Sequence, residues 1–112
     1  MPRHKLVVMT KPVEGREREY NEWYQKVHLP DVVAIPGVKS AQRFRLKLPL
    51  GPGVERQPYL AVYDIETDDV DRVVSELKSR TADGRMVIST AMSTEIFAGV
   101  YDELGAAVSS GS

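Results

Sequence analysis

Glu19-Tyr20-Asn21-Glu22-Trp23-Tyr24-Gln25-Lys26-Val27-His28-Leu29-Pro30-Asp31 is the stretch on which the fold turns. In a helix Tyr20, Tyr24 and His28 stand at i, i+4 and i+8, and Trp23 and Val27 complete the same stripe. The stripe takes the chain's only tryptophan, two of its five tyrosines and one of its two histidines. Leu, Ile and Val would cover a plain core without hydroxyl or imidazole tips. Rings with polar tips pack on apolar neighbours and also meet a small ligand. The stripe is therefore read as a cavity wall, with ordinary core packing as the alternative. Pro30 disfavours helical backbone at Leu29, which ends the expected regular helix near His28.

Upstream of this segment, His4 to Thr10 is a short β-rich run bounded by Pro2 and Lys11-Pro12, a first strand. The helix starts near Gly15 or Arg16 and is rich in good helix formers. Asp31 to Ala34 allows one more turn before Ile35-Pro36-Gly37 breaks the chain. Val38 to Leu48 alternates, with Ala41, Arg43, Arg45 and Lys47 opposite Gln42, Phe44, Leu46 and Leu48, a long strand with one wet face. Tyr59 to Glu66 is more uniformly apolar and reads as a central strand. Thr67 or Asp68 caps a second helix whose stripe is Val70, Val73, Val74 and Leu77, ended by Asp83-Gly84. Arg85 to Met92 has room for a short helical turn, and Thr94 to Tyr101 is the last strand.

The order β-α-β-β-α-β predicts an α+β, ferredoxin-like fold: a four-stranded antiparallel sheet with both helices on one face. A single domain spans residues 1–104, and 105–112, small and polar, reads as a disordered tail. The other sheet face would lie open, with Phe44, Leu46 and Leu48 in need of burial. A homodimer is the expected remedy.

Composition narrows the partners. The chain of 112 residues supports one core. Its 15 basic and 16 acidic residues give no reason to expect nucleic acid or an anionic membrane. No apolar run approaches the ~18 residues of a membrane span, and no leader peptide is expected. Absent cysteine removes disulfides, thiolate catalysis and cysteine-ligated metals, and makes the cytoplasm the default location. With only His4 and His28 as imidazoles, no metal site is expected either. Gly51-Pro52-Gly53 lacks the lysine and following helix of a phosphate loop.

Four runs carry a resemblance: Tyr20-Asn21-Glu22-Trp23-Tyr24, Val27-His28-Leu29-Pro30-Asp31, Ile35-Pro36-Gly37-Val38 and Ala41-Gln42-Arg43-Phe44. Together they resemble the dimeric α+β barrel superfamily, and within it the EthD-like branch, named for a protein of ethyl tert-butyl ether degradation. The element order extends the likeness over most of the chain, whereas specific motif residues run only from Tyr20 to Phe44. The resemblance implies a homodimer whose sheets close into a barrel, with a pocket between helices and sheet in each subunit. The superfamily holds lyases, isomerases, polyketide cyclases, cofactor-independent monooxygenases and haem-degrading enzymes, so it speaks to fold more than to reaction. The asparagine, tryptophan and histidine set of the haem degraders is not recognised here, and no cofactor is expected.

His28 leads the candidate residues, as a general base near neutral pH or as a cap on the last helical carbonyls. Tyr24, one turn earlier, orients His28 or the substrate. Asp31 is an orienting carboxylate or a solvated helix cap. Tyr20, Trp23 and Phe44 offer apolar substrate contacts. Arg43 binds a carboxylate or enolate oxygen, or lies in solvent or at a dimer edge. Asp64, set in an apolar strand, is the acid most expected to be buried, in a pocket or a structural hydrogen bond. These residues point to a cofactor-free enzyme of lyase, isomerase or cyclase type, acting on a small apolar, phenolic or carbonyl substrate with His28 as base. The alternatives are a cofactor-independent monooxygenase on a phenol and a dimer that only binds a hydrophobic small molecule.

Overall fold

Period-two burial builds the sheet. In the computed structural model, which describes residues 1–111, the strands are β1 (Arg3–Thr10), β2 (Val38–Arg45), β3 (Tyr59–Glu66) and β4 (Phe97–Asp102). Ser112, the last residue of the expected tail, lies outside the described residues. Tyr59, Ala61, Tyr63 and Ile65 of β3 are all buried, while the residues between them are not. Leu6 and Thr10 of β1 face the same side. The sheet order is β2-β3-β1-β4, with every neighbouring pair antiparallel. This is the expected ferredoxin-like βαββαβ arrangement, with β3 and β1 central.

Period 3.6 builds the covering layer. Helix α1 (Glu17–Trp23) passes through a π-helical turn at Tyr24–His28 into α2 (Leu29–Val33), and α3 (Val70–Ala82) follows β3. Asp69 caps α3 by accepting from the Arg72 N–H at 3.1 Å, and Thr67 Oγ1 accepts from the Asp69 N–H at 3.1 Å. The cap thus lies just past the expected Thr67 or Asp68. A single core joins the layers, from Tyr20, Tyr24, Leu29 and Val32 through Tyr59, Tyr63 and Ile65 to Val73. Among the described residues no helix is long and apolar enough to cross a membrane.

Several boundaries differ from expectation for identifiable reasons. The helix does not stop at His28, because the π turn lets Pro30, which has no N–H to donate, sit in the first turn of α2. β2 ends at Arg45 rather than Leu48. The Leu46 N–H still reaches Pro58 O at 2.7 Å, but Pro58 has no N–H with which to continue the ladder. Arg85 to Met92 forms no helix and is anchored by buried Met86 and Ala91. β4 starts at Phe97, opposite Met9, instead of Thr94. Residues 103–111 lie exposed outside helix and strand.

A register shift between Val38 and Ser40 reassigns the faces of β2. The extra residue puts Val38, Ala41 and Arg43 on the same, helix-covered side. The charged side of this strand, read as wet, therefore looks inward. The open face carries three cross-strand rows: Phe44, Leu60, Met9 and Phe97; Gln42, Val62, Val7 and Gly99; Ser40, Asp64, Lys5 and Tyr101. Phe44 is 46% and Phe97 54% exposed, so the first row is an uncovered apolar band.

Gly37 closes the turn between α2 and β2. Its φ of +100° disfavours an L side chain, and an added Cβ would lie 3.0 Å from Val73 Cγ2 of α3. Gly37→Ala is expected to destabilise the fold by about 1–3 kcal/mol, read as a lowered midpoint in urea unfolding. An unchanged midpoint would show that α3 moves aside freely.

Candidate functional site

The π turn gathers the rings. The Leu29 N–H bonds to Tyr24 O, five residues back, and this wider turn brings side chains five apart onto one face. Trp23 and His28 accordingly stack, with ring centroids 4.8 Å apart and planes 24° from parallel. Tyr24 meets His28 edge-on at 4.9 Å, and lies 5.3 Å from Trp23 and 5.6 Å from Tyr20. The spacing of the sequence predicted the cluster, while the π turn decides which pairs touch.

His28 is half-buried, and its Nδ1 is fully buried with no hydrogen-bond partner. An orphaned buried nitrogen weakens a fold, so such groups concentrate where chemistry uses them. Burial lowers the pKa of His28 to about 4 from an ordinary 6.5; the Arg43 charge pushes the same way, and the Asp31 charge opposes both. The ring is therefore neutral over the physiological range. Among the described residues no hydrogen bond or ion pair joins Asp31 to His28, so the carboxylate acts only through its nearby charge.

Tyr20 and Tyr24 are 0% and 1% exposed and belong to the core. The Tyr20 hydroxyl bonds Thr10 Oγ1, and the Tyr63 hydroxyl donates to that of Tyr24 at 3.5 Å. Burial raises the pKa of both phenols on the helix, which stay protonated. The expectation of a ring-lined cavity gives way here to a packed cluster, in which each phenol finds a partner inside the protein. Of the rings on this helical run only Trp23 and His28 reach the surface. Trp23 Nε1 donates to Val87 O at 3.2 Å, which ties the 85–92 segment to the helix beside His28.

Arg43 enters from the sheet. Its guanidinium carbon lies 4.5 Å from the Tyr24 centroid, 5.2 Å from Tyr59 and 5.3 Å from Tyr20. It donates to Asn21 Oδ1 at 2.9 Å and to Asn21 O at 3.4 Å. Asn21 Nδ2 in turn donates to the Tyr59 hydroxyl at 3.1 Å, and that hydroxyl donates to the Glu17 carboxylate. Among the described residues no carboxylate pairs with Arg43.

Two candidates stand elsewhere. Phe44 and Asp64 lie on the open face, with the sheet between them and His28. Alternation along each strand is the cause: Arg43 and Tyr63 point to the helices, so their neighbours point away. Asp64 is not buried; its side chain is 49% exposed, bound by Lys5 and by Ser40 Oγ at 3.0 Å. The Lys5 hydrogen bond holds its pKa below the usual carboxylate range. Asp64 lines an open-face cavity of about 560 Å³ with Lys5, Lys39 and Tyr101. Thr10, Asn21, Tyr59 and Tyr63 complete the helix-side cluster without having been singled out. The two tyrosines, four apart in a central strand, were the available signal. Among the described residues no group of His, Asp and Glu is arranged to hold a metal ion.

No protein-family model matches this sequence, and no curated protein does either. Solved structures do match. An ethyl tert-butyl ether (EthD) family protein from Bacillus halodurans C-125 is 15% identical, with a TM-score of 0.59 over 93% of this chain and 100% of that one. A protein from Shewanella loihica PV-4, proposed to be a monooxygenase, is 15% identical at TM-score 0.62, covering 94% and 97%. A dimeric ferredoxin-like protein of unknown function from Thermobifida fusca YX is 16% identical at TM-score 0.60, covering 91% and 92%. The chain thus has the ferredoxin-like fold shared by dimeric α+β barrel proteins, an EthD family structure among them.

Proposed function

We propose that this chain is a small-molecule enzyme without a resident cofactor, in which His28 takes a proton from a flat, mostly apolar substrate. The observation that supports it is the half-buried ring of His28, held neutral by burial, with Nδ1 sealed and unpartnered so that Nε2 is the nitrogen a substrate would meet. A base must be unprotonated at working pH, and burial secures that. The same burial makes the imidazolium costly, so the donor has to be an acidic proton, such as that of a phenol or a β-dicarbonyl compound. The Asp31 charge eases the protonated state, and the half-buried Trp23 ring offers a stacking surface beside it. Lyase, isomerase and cyclase reactions all begin with such a proton transfer.

A second reading shares the first step. The likeness to a protein proposed to be a monooxygenase favours it. The deprotonated, electron-rich substrate would react with oxygen directly while the protein positions it. Turnover that persists without oxygen excludes this reading, and turnover that stops supports it.

We further infer a homodimer formed through the open face. The Phe44, Leu60, Met9 and Phe97 row is an apolar band without cover, and the Thermobifida neighbour is dimeric. Leu60→Glu should convert the dimer to a monomer in sedimentation velocity at micromolar concentration, and a wild-type monomer would refute the inference.

His28→Gln is expected to lower turnover roughly 10²-fold, the usual size of a lost acid–base group, with the dimer intact. A wild-type rate in this variant would leave His28 a helix cap and favour the binding-only dimer. The kcat/KM profile should be flat from neutral pH downward and fall near pH 4, as His28 protonates. Stability carries the same signature. The folded pKa lies below the unfolded value, so the unfolded chain takes up the proton first and stability declines as pH falls from about 6.5 to about 4. Unfolding titrations should show this decline in wild type and a shallower one in His28→Gln.

A further inference from the structure

We propose that Arg43 is the anion-receiving group of the His28 site, and that the substrate is a planar aromatic molecule bearing, or acquiring, an oxyanion. The proposal rests on the reading of this face as the substrate site and names the substrate class.

Arg43 differs from every other arginine of the chain. Arg3, Arg16, Arg80 and Arg85 pair with Glu66, Glu19, Glu76 and Asp83. Arg18, Arg45, Arg56 and Arg72 carry no such pair among the described residues, but they are exposed and water solvates them. Among the described residues Arg43 alone is half-buried without a carboxylate partner. The faces of three tyrosines and the two oxygens of Asn21 compensate part of the desolvation. They leave the formal charge unneutralised, and they engage two of the five N–H donors a guanidinium presents. A carboxylate or phenolate oxygen is the natural ligand of the remainder.

Position supports the same role. In the sheet Arg43 lies opposite Ala61, the smallest residue on the covered side of β3, which leaves its side chain free to rise toward α1. Tyr24 bridges the two functional groups: Arg43 lies 4.5 Å from its ring and His28 meets its edge at 4.9 Å. A proton leaving toward His28 would leave its electron pair on an oxygen beside the guanidinium. The base and the anion holder would then act on one acidic group, and no further reactant is needed for that step. A purely structural Arg43, clamping α1 to the sheet through its rings, would instead be indifferent to the charge of anything bound.

4-Nitrophenol separates these roles, because phenol and phenolate absorb differently and 4-nitroanisole is its neutral methyl ether. Wild-type dimer should lower the apparent pKa of bound 4-nitrophenol by about 1 unit or more, as expected for a cation beside the oxygen. It should also bind the phenolate at least about tenfold more tightly than 4-nitroanisole. Arg43→Gln should abolish the pKa shift while binding 4-nitroanisole as before, and Arg43→Lys should keep most of it. His28→Gln should leave the shift in place even as turnover drops, since the phenolate charge rests on Arg43. Should the shift survive in Arg43→Gln, or vanish in His28→Gln, the assignment to Arg43 is wrong. Equal affinity of wild type for phenolate and anisole overturns it without any variant, which covers the case of Arg43→Gln failing to fold. Failure of wild type to bind either compound at millimolar concentration overturns it too. A retained shift with unimpaired turnover in His28→Gln would sink only the general-base reading.

Discussion

A guanidinium held against three phenol rings links the two layers of this protein. Arg43 comes from β2, Tyr59 from β3, and Tyr20 and Tyr24 from the long helical run. Each contact is worth only on the order of 1 kcal/mol, yet the four side chains belong to three elements and fix their relative rotation. The hydrogen bonds around them do the same work locally. Asn21 joins Arg43 to Tyr59, Thr10 holds Tyr20, and Tyr63 holds Tyr24. With the helix set by this cluster, the π turn can present His28 at its far end.

The sheet then divides the molecule. Strand alternation sends each ring or charge to one side only, and the two sides have different characters. The covered side joins aromatic rings, a lone cation and a neutral imidazole. The open side has an apolar row at one end and, beyond the Gln42, Val62, Val7 and Gly99 row, the ion pair of Lys5 with Asp64. A surface of that kind suits contact with another copy of the chain, where the apolar row is buried and the ion pair stays near the edge. The proposed chemistry and the proposed assembly would thus use opposite faces of a single layer, because alternation along each strand separates their residues.

Legibility followed the same division. Tyr20, Trp23, Tyr24 and His28 were readable as a cluster because helical spacing is a local property of the chain. Arg43 was readable only as one of three alternating charges, with Arg45 and Lys47, and alternation suggested water. The bulge between Val38 and Ser40 reversed that. Nothing in the residue types of Val38-Lys39-Ser40 announces the irregularity, since it answers to the register with Ile65 and Asp64 on a strand some 25 residues away. Asp64 misled for the complementary reason. An acid between Tyr63 and Ile65 looks buried in sequence, but it meets Lys5 across the strand and stays half in solvent.

What the sequence alone determined is the order and type of the elements, the apolar stripe of each, and the ring-rich segment that carries the candidate base. All of these depend on spacing within one element, which hydrophobic periodicity reports directly. Only the tertiary structure decided that the helix continues through Pro30 by a π turn, that Arg43 faces inward while Phe44 and Asp64 face out, and that the Nδ1 of His28 is sealed from water. Each of those depends on contacts between residues distant in the chain. Burial of a group is a property of everything packed around it, so no single stretch of sequence contains it.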